Sequence, residues 1–146
     1  MRELPRKLSA DELAGLFEGR TRFVERLAQE PDPLVRAHTL VHELPHDEKV
    51  EILAAHPAIG QRTGLSARSA AEQGADADAE VLAELARLNA GYESRHGFRF
   101  VVFVDRRTKA EILAVLESRI DNPTDQELET ALDELVAIAE DRWSSA

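Results

Sequence analysis

Histidine is the residue of this sequence best suited to proton transfer, and one of the five histidines has a distinctive position. Because the chain contains no cysteine, a thiol nucleophile and a cysteine-ligated metal are excluded. His56 stands before Pro57, where a helical pattern meets a loop that contains Pro and Gly. A rigid element can present a side chain to a site at such a junction. The imidazole is therefore a candidate general acid or base, and a structural histidine at a helix end is the alternative.

Three further histidines, His38, His42 and His46, are four residues apart, which places them on one face of an ideal helix. Such a face suggests a metal site. Pro45, however, interrupts the helix before the third histidine, and no carboxylate–histidine motif completes a ligand set. We therefore favour histidines that are exposed on a helix face. We expect neither a metal nor a cofactor.

Two charged residues allow both a structural and a chemical role. Glu72 follows Ser69 by three residues, as in a capping box, and its carboxylate is equally a candidate site residue. Arg142 falls in the last turn of the last predicted helix, where a cation stabilises the helix dipole. Tyr92 and Trp143 are typical of core or rim aromatics. The sequence contains no phosphate-binding glycine loop, nucleophile elbow or Ser/His/Asp arrangement.

The composition predicts one globular domain over residues 1–146. Hydrophobic residues make up 43% of the chain and charged residues 32%, which excludes a disordered protein. The 18 basic and 28 acidic residues give a net charge of −10, which argues against nucleic acid or an anionic membrane as a partner. No apolar stretch is long enough for a membrane span, and the beginning of the chain lacks the apolar core of a signal peptide. We expect a cytoplasmic protein.

Capping residues and prolines predict the helices of the first third of the chain. Residues 9–12 (SADE) form a capping box that opens the first helix, and Gly19 closes it. Asp32 and Pro33 occupy the N-cap and first position of a third helix, which ends at Pro45. Two other helices are expected around residues 23–27 and over 47–54.

The remaining segments complete an all-α fold. Residues 57–68 are predicted to form a loop, and residues 76–93 a long amphipathic helix. Residues 98–104 are rich in aromatic and β-branched side chains without an obvious strand partner, which indicates a buried extended connection or a buried first turn. A helix follows over 109–119, and residues 124–127 cap a last one.

Three motifs occur in a fixed order along this chain. They are HPAIG at residues 56–60, SAAEQ at 69–73, and LNAGY at 88–92 followed by GFRFVV at 97–102. Together they resemble the OHCU decarboxylase family, whose name abbreviates its substrate, 2-oxo-4-hydroxy-4-carboxy-5-ureidoimidazoline. Enzymes of this family perform the last step of urate degradation to (S)-allantoin. The resemblance covers nearly the whole chain, and with the helix pattern it implies a compact helical domain of about seven to nine helices.

The resemblance also implies site residues. His56 matches the family's catalytic histidine, and Pro57 a neighbour that lines the site. Ser69, Glu72 and Gln73 match a polar segment that contacts the substrate. The family's pocket wall corresponds here to Phe100, Val101, Val102, Phe103 and Val104.

Arg142 corresponds to an arginine that the family places at the active site. It is expected either to bind the substrate carboxylate or to orient Glu72. We favour an orienting role, because a tight grip on a carboxylate that loses its charge would stabilise the ground state. His96 and Arg99 replace the usual Phe and Pro of the family and are expected at the rim of the pocket. The family also implies a homodimer.

The implied reaction needs no cofactor. The carbon that bears the carboxylate adjoins a ring C=N, so the substrate supplies its own electron sink. The protein must supply an anion holder, an acid or base, and walls that exclude water. We expect His56 to take the hydroxyl proton or to deliver a proton to the neighbouring ring carbon, with Glu72 holding N–H groups of the substrate.

Two other functions are consistent with parts of the sequence. The acidic, well-capped helices also suit a non-catalytic interaction module that docks a basic partner. His96 and Arg99 leave open a related cofactor-free enzyme that acts on another ureido or hydantoin-like molecule. Thermal stabilisation by allantoin distinguishes a binding pocket from an interaction module.

Overall fold

The computed structural model describes residues 7–57 and 79–145, and within these ranges every regular element is an α-helix. This confirms the predicted all-α class. The expected seven to nine helices referred to the whole chain, of which the described ranges contain seven. They are α1 (Ala10–Phe17), α2 (Arg22–Leu27), α3 (Pro33–Glu43), α4 (His46–Ala54), α5 (Ala79–His96), α6 (Lys109–Arg119) and α7 (Thr124–Ser144).

Helix α7 is the centre of the described fold. It packs against α1, α3, α4 and α5, while α5 also packs against α6. At 21 residues it is about 30 Å long, enough to contact helices along its whole length. Its buried residues recur at intervals of three and four and therefore form a broad apolar face. These residues are Glu127, Leu128, Ala131, Leu132, Leu135, Val136, Ile138, Ala139 and Arg142. None of the described helices is long and apolar enough to cross a membrane.

The predicted capping box of α1 is confirmed. The hydroxyl of Ser9 accepts a hydrogen bond from the Glu12 N–H at 3.1 Å, and the Glu12 carboxylate accepts one from the Ser9 N–H at 3.0 Å. The predicted closure by Gly19 is wrong by one residue. Glu18 adopts the left-handed conformation, with φ of 66°, and the Gly19 N–H donates to the Ala14 carbonyl. A side chain in this conformation costs about 1–2 kcal/mol, so a favourable contact must hold Glu18 there.

The predicted boundaries of α4 and α6 and the predicted end of α5 agree with the structure to within a few residues. Helix α4 ends at Ala54, two residues before the His56-Pro57 pair. Helix α5 continues to His96 and ends at Gly97, whose φ of 79° favours glycine. Helix α6 opens with a capping box between Thr108 and Glu111 that the sequence analysis did not identify.

The segment after Gly97 confirms the buried connection without helix or strand that residues 98–104 predicted. Side chains from other parts of the chain hold its backbone. Arg119 donates to the Val101 carbonyl at 3.1 Å, and the Phe103 N–H donates to the Glu134 carboxylate at 3.3 Å. The segment is therefore fixed on two sides, by α6 and by α7.

A buried carboxylate, Glu127, stands at the centre of this arrangement. The residue is 0% exposed, and its carboxylate accepts hydrogen bonds from Tyr92 at 2.6 Å, Arg119 at 2.9 Å and Asn122 at 2.9 Å. Arg119 also lies over the ring of Phe100, with its guanidinium carbon 4.6 Å from the ring centre. Burial and the bond to Glu127 raise the pKa of Tyr92, so its phenol keeps its proton and remains a donor.

The capping role predicted for residues 124–127 is therefore wrong. The N-cap of α7 is Pro123, and no side chain caps the helix there. The hydroxyl of Thr124 instead bonds Nδ1 of His96 at 2.7 Å, while Glu127 faces inward. The same Thr-x-x-Glu spacing serves different purposes because Glu127 lies beside a buried cation.

Replacing the buried carboxylate should destabilise the protein strongly. Glu127→Gln leaves the Arg119 guanidinium buried without its anion, so we expect the free energy of unfolding to fall by about 3–5 kcal/mol. Urea denaturation measures the change. The matched control is Glu140→Gln in the same helix, which pairs with a half-exposed His38 and should lose no more than about 1 kcal/mol. Equal losses in both variants would contradict the role given to Glu127.

Candidate active site

His56 is a buried histidine at the junction that follows α4. Only 4% of the residue is exposed. Its backbone N–H donates to the Leu53 carbonyl at 3.2 Å and closes the last turn of the helix. Pro57 then prevents the helix from continuing. The Nε2 atom of His56 is buried, and the described part of the chain offers this atom no hydrogen-bond partner. Because buried polar atoms are rarely left unpaired in proteins, Nε2 is a candidate contact for a substrate.

The guanidinium of Arg142 is also buried, with 4% of the residue exposed. It lies in the last turn of α7, as predicted, but it reaches across to α1. Nη1 donates to the Leu16 carbonyl at 3.1 Å, and Nη2 donates to the Glu18 carboxylate at 2.9 Å. This ion pair explains the left-handed conformation of Glu18, because it holds the carboxylate against the cation. The simple interaction with the helix dipole, which we considered from the sequence, is therefore an incomplete description.

These charges act on His56. Burial, with the positive charges of Arg142 and Arg99, lowers the pKa of its imidazole from 6.5 to about 4, although the negative charge of Glu18 opposes the shift. His56 is therefore neutral at pH 7 and able to accept a proton. The same charges show that Arg142 and His56, which are 86 positions apart in the sequence, lie within electrostatic reach of each other.

Arg99 connects His56 to the pocket-wall segment. Its guanidinium donates to the carbonyl of His56 and, at 3.3 Å, to that of Ala54, and its Nε donates to Glu93 at 3.1 Å. We expected Arg99 at the rim of a pocket on the strength of its departure from the family pattern. The structure places it against the backbone of the candidate catalytic residue.

The five predicted wall residues begin immediately after Arg99. Phe100, Val101, Val102 and Val104 are buried, and Phe103 is half-buried. The Phe103 amide already donates to Glu134, so it is the least suited of the five to bind a substrate. Among described residues, none accepts a hydrogen bond from the other four amides. Pro57 is half-buried beside His56.

His96, the other departure from the family pattern, is buried and does not lie at a rim. Its Nε2 donates to the Ile120 carbonyl at 2.9 Å, and its ring lies against that of Tyr92 at a tilt of 55°, with centroids 4.5 Å apart. Together with the bond to Thr124, these contacts join the end of α5 to the turn between α6 and α7. The role of His96 is therefore structural.

Three predicted site residues lie outside the described residues. These are Ser69, Glu72 and Gln73. The predicted loop over 57–68, except Pro57, and the start of the 76–93 helix also fall there. Their predicted contacts with a substrate remain predictions.

The three histidines of α3 and α4 differ in their exposure and contacts. His42 lies between the carboxylates of Glu129 and Asp133, and His38 bonds Glu140 at 3.1 Å. His46 is exposed. No three His, Asp or Glu side chains of the described ranges are arranged to hold a metal ion. The preferred interpretation of exposed histidines is confirmed for His38 and His46, whereas His42 is half-buried. The bonds of His38 and His42 to carboxylates join α3 to α7.

Glu18 is the site residue that the sequence analysis missed. Its side chain is 13% exposed and pairs with Arg142. The available signal was a charged residue directly before Gly19, at the point where the helical pattern of α1 stops. The pattern shows a helix end but does not show which distant helix packs there.

Comparison with known proteins places this arrangement in context. The profile of a family described as OHCU decarboxylase matches residues 2–144. The 2-oxo-4-hydroxy-4-carboxy-5-ureidoimidazoline decarboxylase of Haloferax volcanii is 37% identical over 114 residues, which are 72% of this chain and 67% of that protein. The protein of the same name from Halalkalicoccus jeotgali is 33% identical over 104 residues, or 68% and 58% of the two chains. The chain thus spans about two thirds of one relative and less of the other.

A solved structure is similar over a larger share of both chains. It is a crystal structure of OHCU decarboxylase in the presence of (S)-allantoin. It has a TM-score of 0.76 and 26% sequence identity, and the match covers 92% of this chain and 96% of the other. The sequence matches and the structural match therefore indicate the same family.

The burial of His56 should appear as a pH dependence of stability. The unfolded chain binds a proton near pH 6.5 and the folded chain only near pH 4, so stability is complete above pH 6.5 and is lost as pH falls towards 4. The free energy of unfolding should fall by about 3 kcal/mol over this range because of His56. We expect urea denaturation of His56→Asn to show a flatter profile between these pH values, and NMR titration of the ring to give a pKa near 4.

His42→Asn provides a control of opposite sign. Partial burial alone would lower the pKa of His42, but Asp133 and Glu129 together outweigh it and raise that pKa. Its contribution to stability is therefore present at low pH and lost as pH rises through the raised pKa. A steeper acid loss in His42→Asn, against a flatter one in His56→Asn, is the expected pair of results. A pKa of 6.5 or above for His56 would contradict the interpretation.

Proposed function

The chain belongs to the OHCU decarboxylase family, and we propose on this premise that it converts OHCU to (S)-allantoin and CO2 in urate degradation, with His56 handling the proton. One observation supports the role of His56 beyond family membership. A buried imidazole, neutral at pH 7, has an Nε2 atom without a partner among the described residues and lies within reach of the charge of Arg142. That combination suits a general base in a site closed to water.

The electrons of the broken bond go into the substrate. When CO2 leaves, the electron pair of the broken C–C bond forms a C=C bond between the two ring carbons, and the π pair of the C=N moves to the ring nitrogen. This nitrogen takes up the one proton that the reaction consumes. The product of this step is an enol, which still carries the hydroxyl group. The protein is then needed for the transfer of protons, since no separate electron sink is required.

The neutral state of His56 suggests an order for the two proton transfers that the sequence left open. A histidine with a pKa of about 4 begins the cycle as a base, so it accepts the hydroxyl proton of the enol as the C=O forms. The imidazolium that results is a strong acid in these surroundings. It delivers a proton to the neighbouring ring carbon and returns to the neutral form. Delivery from one fixed side gives a single enantiomer of allantoin.

Arg142 supplies positive potential in this mechanism without a tight grip on the substrate carboxylate. Two of its N–H groups donate to the Leu16 carbonyl and the Glu18 carboxylate, which hold the guanidinium in place. An arginine so held orients the anion near His56. Because Glu18 offsets much of its charge, the stabilisation of the substrate ground state is limited.

The remaining site contacts are proposals from the family resemblance. Ser69, Glu72 and Gln73 would bind the ring and ureido groups, with Glu72 as acceptor for N–H groups and as the partner that orients His56. The amides and side chains of residues 100–104 would wall the pocket. The homodimer and the cytoplasmic location also remain predictions, and analytical ultracentrifugation tests the first.

Removal of the imidazole should abolish most of the catalysis. We expect His56→Asn to lower kcat by about 10²–10⁴, the usual contribution of a general acid or base, while the protein stays folded. The assay generates OHCU freshly from urate and follows (S)-allantoin by circular dichroism. His46→Asn, at the exposed start of α4, the helix that leads to His56, is the control and should keep wild-type turnover. A His56→Asn variant with wild-type kcat would remove His56 from the mechanism.

Glu72→Ala separates a catalytic carboxylate from a capping one. A site residue should lose both kcat and substrate affinity, so we expect kcat to fall and KM to rise. The control is Glu12→Ala, whose carboxylate caps the start of α1, the opposite end from Glu18, and whose loss should cost only about 1 kcal/mol of stability. If Glu72→Ala behaves like Glu12→Ala, with a lower Tm and normal kinetics, Glu72 serves only as a cap.

A further inference from the structure

We propose that Arg99 is a positioning residue for His56: its guanidinium ties the backbone of His56 to the end of α5 and so sets where the imidazole stands. The inference deepens the proposed function and rests on it. It is carried by three hydrogen bonds that one side chain makes to two different helices.

The backbone carbonyls around His56 need hydrogen-bond donors from outside the helix. Carbonyl groups at the end of a helix lack the N–H donors of a following turn. Here Pro57 has no N–H and also prevents His56 from continuing the helix. The carbonyls of Ala54 and His56 are therefore open to an outside donor. Arg99 donates to both of them through the same nitrogen, Nη1.

The Arg99 side chain is anchored firmly to α5. Arg99 follows Gly97 by two residues, and the Gly97 N–H closes α5 by donating to the Glu93 carbonyl at 2.9 Å. The carboxylate of Glu93 accepts from Nε of Arg99 at 3.1 Å. The side chain is thus held at both ends, by its short connection to α5 and by an ion pair with that helix. It can transmit the position of α5 to His56.

Arginine is suited to this task and lysine is not. A planar guanidinium presents several donors in a fixed geometry, whereas an ammonium is a single point charge on a flexible chain. Precise placement matters because a displacement of about 1 Å at a reacting group can cost about 10²-fold in rate. Arg99 also adds positive charge near the imidazole, together with Arg142 and against Glu18, which favours the neutral form.

The test compares Arg99→Gln and Arg99→Lys with a matched control. Arg87→Gln removes an exposed ion pair with Glu84 within α5 and should keep wild-type kinetics. We expect Arg99→Gln to lower kcat about 10-fold or more with KM changed by less than about 3-fold, because the base is displaced while the substrate contacts remain. Arg99→Lys keeps the charge but offers one ammonium nitrogen in place of the planar guanidinium. Its kcat should therefore lie between those of Arg99→Gln and the wild type.

A second readout does not depend on the substrate. NMR titration of His56 should give a higher pKa in Arg99→Gln than in the wild type, because a nearby positive charge is lost, and a wild-type pKa in Arg99→Lys. If kcat and the His56 titration in Arg99→Gln both match the wild type, the inference is wrong. A lower Tm with unchanged kcat, measured well below that Tm, also overturns it, since Arg99 would then only stabilise the fold.

The two proposals fail in different ways. If the wild-type protein does not accelerate the decay of OHCU, the proposed function is wrong. The effect of Arg99→Gln on the His56 ring signals then still decides whether Arg99 positions this histidine. Unchanged signals would overturn the positioning role, and shifted signals together with an unshifted Arg87→Gln control would support it.

Discussion

The buried carboxylate of Glu127 is the constraint on which much of the described structure depends. A charge away from water is tolerated only when it is paired and fully hydrogen-bonded, and this one has donors from α5, from α6 and from the turn between α6 and α7. These donors cannot move independently without leaving the charge unpaired. Arg119 in turn fixes the Val101 carbonyl and lies over Phe100. The irregular segment that follows α5 thereby acquires one conformation although it has no ladder of backbone hydrogen bonds.

The candidate site uses the same physics with the opposite result. Arg142 and Glu18 form a buried pair that is satisfied within the protein, whereas the neighbouring His56 is buried without a carboxylate partner among the described residues. Desolvation and two nearby guanidinium groups therefore keep the imidazole neutral. A neutral base with an unpaired nitrogen is less stable than a solvated one. Such a departure from full pairing is typical of functional sites.

Helix ends, more than helix faces, bring the site together. The end of α1 supplies Glu18 and the Leu16 carbonyl, and the last turn of α7 supplies Arg142. The end of α4 supplies His56. The carbonyls at helix ends lack partners, so arginines from other elements donate to them, and each such bond fixes two elements at once. This explains why both arginines near His56 bond backbone carbonyls as well as carboxylates.

Local order was the part of this protein that could be predicted from the sequence. Capping residues, prolines and apolar periodicity located most of the helices, because these signals act over a single turn of backbone. His56 was a candidate for the same reason, since a histidine before proline at a helix end has a defined local geometry, although a structural role stayed open. The order of the HPAIG, SAAEQ and GFRFVV motifs indicated the family, and the family profile and the relatives confirm it.

The tertiary structure decided which charges meet. Thr-x-x-Glu is a capping box at residues 108–111 but not at 124–127, where Glu127 turns inward to Arg119. Arg99 differs from the usual family residue, and nothing local shows that it donates to the His56 carbonyl 43 residues away. Glu18, in turn, pairs with a residue 124 positions later. The sequence by itself determined the helices and the family of this protein, because those depend on short-range patterns. Long-range packing determined the partners and the protonation state of His56, because electrostatic energies depend on distance and burial in the folded chain.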